Sequence, residues 1–321
     1  MTETTSKDVA VAVDVGGTGI KCALVDMAGR VLLTRRFATG RERGPDAVVE
    51  TILDSAAELS TTAYAEGRRP VAAGVVVPAI VDEAAGVARW SANLGFRDVP
   101  LKELVSRRLG LPAALGHDVR AGALAEARLG AGLGTRRMLF IAIGTGIAGG
   151  YAVDGHIDPG AHGAAGEIGH IRVRSGPDAQ PCGCGARGCV EAYASAASVA
   201  RAYREAAVSA NGHPEITAAD VAARVAAGEP LAREVWQTAV DVLADGLLTG
   251  IALYDPELIV LGGGLAEAGD TLLEPLRTGL AQRRTFHQIP PLTRAGLGDE
   301  AGCLGAALLA LDLITTDGTQ P

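Results

Sequence analysis

At 321 residues, with 48% hydrophobic and 21% charged residues, the chain can fill buried cores in about two domains. Its formal net charge of −8 argues against nucleic acid as a partner, because a phosphate backbone needs a basic face. No run of about 18 apolar residues occurs, and the first apolar stretch, Val9–Val13, is too short for a signal sequence; a cytoplasmic protein with no membrane partner is expected.

The pattern opens as three strands: Val9–Val15, then Ile20–Asp26 after a turn at Gly16–Gly19, then Val31–Phe37 after Ala28–Arg30. A helix rich in Ala and Leu is predicted over Asp46–Glu66, and a wholly apolar strand over Val71–Val77, stopped by Pro78. Leu101–Leu109 reads as helix, Ala113–Gly116 as a short strand, and Ala121–Leu129 as helix. After Gly134 the opening pattern restarts with Met138–Ile143, a glycine turn and Gly150–Val153. Gly17-Thr18-Gly19-Ile20 and Gly144-Thr145-Gly146-Ile147 are identical, and each run is followed by an Asp and then a Gly, Asp26 with Gly29 and Asp154 with Gly155. Their matching position between two strands points to an internal duplication. The region Ser195–Gln282 is mostly helical, with a strand at Leu258–Leu261 before Gly262-Gly263-Gly264. A last helix covers Gly302–Leu313, and Thr315–Pro321 is a polar tail. The expected division is a small α/β domain over 1–116, a large one over 117–300, and 301–321 packing back on the first.

Glycines directly after a buried strand let backbone N–H groups approach phosphate oxygens. Asp14-Val15-Gly16-Gly17-Thr18 has that form, with Asp14 placed to hold Mg²⁺ through water and Thr18 adding a hydroxyl. The bland reading is a hairpin turn; its repetition at Gly144–Gly146 favours phosphate binding. No Gly-Lys-Ser/Thr stands at Walker A spacing. Gly116-His117-Asp118 lies between a strand and a helix, so Asp118 reads equally as an N-cap or as a general base for a sugar hydroxyl. Gly262-Gly263-Gly264 is either a simple turn or a place for a flat ring such as adenine to come close.

Five cysteines is an odd number, and three of them, Cys182, Cys184 and Cys189, lie within one short glycine-rich loop. In a reducing compartment that favours metal over disulfides. With His170 they make a closed structural zinc set, flanked by Glu167 and Glu191.

Taken together, DVGGTGIK, GTGIAGG, GEIGH, CGCGARGCVE and LGGG resemble the ROK family of sugar kinases and repressors, in the family's order from residue 9 to about 310. The resemblance implies an actin-like, ribonuclease-H-like ATPase fold of two α/β domains closing over a cleft, with a structural zinc site. It implies ATP with Mg²⁺ as donor and a hexose as acceptor at the 6-hydroxyl, glucose or N-acetylglucosamine first and N-acetylmannosamine as alternative; polyphosphate is a second donor to weigh. Asp118 matches the family's base. Asn93, Glu167, His170 and Glu191 match its sugar contacts, and His170, Cys182, Cys184 and Cys189 its zinc ligands. The phosphate and nucleotide contacts would be Asp14, Gly16, Gly17, Thr18, Lys21, Gly144, Thr145, Gly146, Gly262, Gly263 and Gly264. His117 stands where the family usually has Asn against the sugar, and Ala79 where a Gly usually follows Pro78. Both leave the choice of sugar open. A ROK repressor would carry a helix-turn-helix before the first strand, for which the sequence ahead of Asp8 has no room. Relatives of this kind also suggest a homo-oligomer, dimer or tetramer.

Overall fold

The structure, a computed structural model, describes residues 7–207 and 215–316. Its elements in chain order are β1 (Asp8–Val15), β2 (Gly19–Asp26), β3 (Val31–Ala38), α1 (Pro45–Ala65), β4 (Arg69–Val77), β5 (Ile80–Asp82), β6 (Val87–Ser91), β7 (Phe96–Val99), α2 (Leu101–Leu109), β8 (Ala113–His117) and α3 (Asp118–Leu129). There follow β9 (Arg137–Ile143), β10 (Ile147–Val153), β11 (His156–Ile157), α4 (Glu191–Ala194), α5 (Ala196–Ala207), α6 (Ala218–Ala226), α7 (Pro230–Tyr254), β12 (Leu258–Gly262), α8 (Asp270–Arg283), β13 (Leu292–Arg294) and α9 (Ala301–Thr316).

Two compact units result. The first holds the described residues of Met1–Ala125 and of Asp299–Pro321, with Pro159–Ala164; the second holds Glu126–Asp158 and Ala165–Gly298 as far as they are described. The boundary expected at Gly116 therefore lies inside the first unit, which carries Asp118 as well. The reason is packing: the first turns of α3 lie against α9, where a Cβ on Gly305 would come within 2.0 Å of the Ala121 carbonyl oxygen.

The first unit is built on a mixed sheet of order β3-β2-β1-β4-β8, the second on one of order β11-β10-β9-β12-β13. In each, the first strand pairs antiparallel with the second and parallel with the strand that follows on its other side, β4 or β12. The two sheets thus share one topology, and the two Gly-Thr-Gly turns join equivalent strands. A third, antiparallel sheet, β5-β6-β7, belongs to the first unit.

Alternation along β1 explains how its sheet is covered. Val9, Val11, Val13 and Val15 point into one cluster with Val48, Ile52 and Leu59 of α1. Ala10 and Ala12 face the other way, and Ala12 pairs in register with Gly74 of β4. These small residues let α9 descend until its main chain touches the sheet: a Cβ on Gly74 would sit 1.8 Å from the Ala306 carbonyl oxygen. Gly74→Ala is expected to destabilise the protein by about 3 kcal/mol or more, because a backbone group cannot move aside like a side chain. Urea unfolding checks this; a loss under about 1 kcal/mol contradicts the contact.

In the second unit Leu139, Ile141 and Ile143 of β9 pack with Trp236, Val240, Leu243 and Leu247 of α7, a 25-residue helix. Some elements differ from expectation. β10 begins at Ile147, three residues before the strand read at Gly150, because Gly149 and Gly150 continue the ladder with β9. α3 begins at Asp118, and α9 reaches Thr316, so Thr315, read as tail, bonds back through its hydroxyl to Leu311 O. The rest of that tail, and 208–214 of the helical region, lie outside the described residues.

Candidate active site

The first phosphate-type turn is a tight one. Gly16 N–H donates to Gly19 O at 2.8 Å, and Thr39, fully buried at the end of β3, holds the turn from behind. Its hydroxyl donates to Gly16 O at 2.7 Å and its N–H to Thr18 O at 3.1 Å. Gly17 has no heavy atom near the place of a Cβ, so its backbone faces open space. The second turn is one residue shorter and is closed by Gly144 N–H donating to Gly146 O at 2.9 Å. Here Glu191, at the start of α4, takes the supporting place: its Oε2 accepts Ile147 N–H at 2.8 Å and fills the volume a Cβ on Gly146 would need.

Asp14 lies at the end of β1, with Lys21 Nζ 4.0 Å away on β2 and paired to it in register. Burial pushes the Asp14 carboxyl up to about 6; Lys21 opposes this, while Asp118 and Asp299 add to it. Lys21 also bonds the Asp299 carboxylate and, at 2.9 Å, its carbonyl oxygen. Asp299 reaches Arg36 too, the residue opposite Lys21 on β3, so one carboxylate separates two like charges.

Asp118 opens α3 directly after β8. Its Oδ1 accepts Val119 N–H at 2.8 Å, and the helix-capping contact is instead made by His117, whose Nδ1 accepts Arg120 N–H at 3.4 Å. The Asp118 carboxylate is therefore not the N-cap. Burial raises its pKa, with the Val119 N–H and the Arg120 charge acting the other way. His117 Nδ1 lies 3.3 Å from Asp118 Oδ1.

Asp14 gives a pH signature. Its folded pKa of about 6 exceeds its ordinary value, so the cost of the buried anion is fully present above pH 6 and fades as protonation sets in between about pH 6 and 4. Asp14→Asn is expected to be more stable than the parent by about 1–3 kcal/mol at pH 8, with the gain vanishing toward pH 4. Denaturant titrations at the two pH values measure it; an Asn variant less stable at pH 8 would contradict the assignment.

In the second unit, Glu167 to His170 are carried by a short 3-10 turn laid on β10. Gly166 makes this contact: its φ is 95°, and a Cβ there would come within 2.1 Å of Gly149 O. His170 turns Nδ1 toward Cys182 Sγ at 3.6 Å and Nε2 toward Glu167 Oε2 at 3.8 Å. Cys184 and Cys189 Sγ lie 3.8 Å apart, and the four donor atoms all fall within 4.8 Å of one another. Tetrahedral zinc with its usual bond lengths needs S···S edges of about 3.8 Å and S···N edges of about 3.6 Å. The donor set fits that ion. The loop is closed by Cys182 N–H to Ala186 O and Gly188 N–H to Gln180 O, and is tied to α7 by Arg174, whose N–H donates to Gly188 O and whose side chain bonds Asp245.

Gly263, at φ 79°, turns the chain out of β12 and packs on Ile143. Beyond it a cavity of about 270 Å³ opens between α6 and the turn Gly264–Ala268, walled by Ala218, Ala222, Ala223 and Ala226. The small apolar walls suit a flat ring. Asn93 is exposed on the turn between β6 and β7, which Ser91 steadies by accepting Leu94 N–H.

Some supporting residues escaped the sequence reading. Thr39 is one. Glu126 is another: fully buried, it accepts N–H groups from Ala131, Gly296 and Leu297. Arg120 and Glu83 form an ion pair at 2.9 Å with Arg120 nearly inaccessible. Arg120 and Glu126, charged residues on an otherwise Ala- and Leu-rich face of α3, were the available signal.

Two sheets of one topology, each with a glycine turn between its first strands, define the α/β fold, and a profile of the ROK family matches residues 10–313. The chain belongs to the ROK family. It is 33% identical to a glucokinase of Streptomyces coelicolor over 94% of this chain and 97% of that one. It is 34% identical to an N-acetylmannosamine kinase of Citrobacter koseri, over 93% and 97%. A ROK family glucokinase from Streptomyces griseus, solved with glucose and AMPPNP, superposes with a TM-score of 0.81 at 31% identity, covering 95% of this chain and 99% of the other. No helix among the described residues is long and apolar enough to cross a membrane.

Proposed function

We propose that the protein is an ATP-dependent hexose kinase that transfers the γ-phosphoryl group to the 6-hydroxyl of glucose or an N-acetylhexosamine, on an actin-like ATPase scaffold. The observation that carries this is Asp118: a partly buried carboxylate at a strand–helix junction, released from capping by His117, on the helix that follows β8 in the sheet whose β1 ends in Asp14 and the first glycine turn. Its raised pKa brings it nearer the operating pH, which suits a general base.

Asp118 takes the proton of the sugar hydroxyl as its oxygen attacks phosphorus. The N–H groups of Gly17, Thr18, Thr145 and Gly146 and the two threonine hydroxyls receive phosphate oxygens, while Gly16 and Gly144 close their turns; Lys21 lies beside the first turn and Gly262–Gly264 lead to the adenine. Magnesium carried by ATP would neutralise phosphate charge, and Asp14 would hold it through water. Asn93, His117, Glu167, His170 and Glu191 orient the sugar. Structural zinc on His170, Cys182, Cys184 and Cys189 would fix the His170 ring, leaving Nε2 on the side of Glu167 to meet a hydroxyl.

The similarity to both glucokinases and N-acetylmannosamine kinases supports the acceptor class. ADP release over a panel of hexoses and N-acetylhexosamines tests the reading. Activity on at least one with ATP is expected, and absence of turnover on all of them would sink it.

A further inference from the structure

The chain leaves the second unit after Asp158, runs through Pro159–Ala164 as part of the first, and returns to the second at Ala165. This strap ends just before Gly166–His170, so Gly163 stands four residues ahead of Glu167. What holds the strap is unusual for an exposed loop: a buried guanidinium. Arg120, on α3 two residues past Asp118, is 4% exposed. Its Nε and Nη2 donate to Glu83 Oε1 at 3.2 and 2.9 Å, and its Nη1 donates to Gly163 O at 3.0 Å. Gly163 itself has φ 68°, and a Cβ on it would stand 2.3 Å from Val81 O, so the strap lies directly on the main chain of β5.

We propose that Arg120 is a positioning residue for the reaction: its side chain clasps Glu83 and Gly163, pinning the strap that leads into Glu167 and His170 against the helix that presents Asp118. The proposal rests on the reading of Asp118 as base and of Glu167 and His170 as sugar contacts. A planar fork suits the task, since one rigid group serves the end of β5 and the strap at once. Lysine, with a single point of charge, keeps part of it. Glutamine loses the charge and strands Glu83. With the strap unpinned, the segment carrying Glu167 keeps its anchor at Gly166 but loses the fixed approach ahead of it, so sugar binding is the step that suffers. ATP contacts come from other turns and are spared.

Arg120→Gln, Arg120→Lys and Gly163→Ala are to be compared with the parent and with Asp118→Asn for kcat, sugar KM, ATP KM and Tm. Arg120→Gln is expected to raise sugar KM by about 10–100-fold with ATP KM within twofold, as misplacement of about 1 Å does elsewhere. Arg120→Lys should fall between Gln and the parent. Gly163→Ala displaces the strap without altering any charge and should also raise sugar KM. A folded Arg120→Gln with sugar KM within twofold of the parent, or with both KM values raised alike, overturns the proposal. Should Arg120→Gln fail to fold, Gly163→Ala decides, and an unchanged sugar KM there overturns it equally. Full activity of Asp118→Asn would instead overturn the assignment of the base.

Discussion

Asp118→Asn lowers kcat by about 10²–10⁴ while sugar KM stays within a few-fold, the pattern of a group needed only once the reaction begins. The substitution keeps the shape, and an amide oxygen can still accept Val119 N–H as Oδ1 does now at 2.8 Å. It also removes a charge that burial disfavours, so Tm should not fall. What is lost is a proton acceptor. Transfer of a phosphoryl group passes through a loose transition state in which the hydroxyl proton departs late, which places the expected loss toward the lower end of that range. Steady-state rates at saturating sugar and ATP, with a melting curve as control, decide the matter; an undiminished kcat removes Asp118 from the role.

The second large effect concerns the cysteine loop. Cys184→Ala should reduce bound zinc from one equivalent to a small fraction, read by elemental analysis, and raise sugar KM through loss of His170 orientation. Structural zinc contributes about 10–16 kcal/mol of binding free energy in small domains that have no other core. Here the loop is also held by its own backbone bonds, by Arg174 on Asp245 of α7, and by Val190, which follows Cys189 into the α7 core. The loss should therefore be local: the region Cys182–Cys189 becomes open to protease while the two sheets persist. Full zinc occupancy in the variant would contradict the ligand set, and global unfolding would contradict the local character.

Much of this was readable in the chain because it is written in local chemistry. Glycine turns after buried strands, the Cys-Gly-Cys loop and the alternation of β1 each follow from neighbours in sequence. The first sheet's strands and the repeat at Gly144 were therefore visible. What stayed hidden depends on distant partners. β5, β6 and β7 are short, and only pairing such as Ile80 with Trp90 makes them a sheet. β13 is three residues long and exists because β12 lies beside it. Likewise nothing near Asp118 announces that Arg120 is buried, which depends on Glu83 and Gly163, far along the chain; the His117 cap is local but needs the chain geometry at the β8–α3 junction to show. The two compact units divide elsewhere than at Gly116 for the same reason, since α9, far along the chain, binds the start of α3.

That last contact has a bearing on synthesis. Because α9 lies on Gly74 and beside Ala10 and Ala12, the first unit's sheet lacks one of its covers until α9 has left the ribosome. The second unit, encoded between them, has its own sheet and core complete earlier. The nascent chain must accordingly hold an uncapped apolar surface while the whole second unit is made, an interval in which a growing polypeptide is prone to stick to its neighbours. A stop codon ahead of Ala301 would leave that surface bare for good, and such a product should need a chaperone or be degraded.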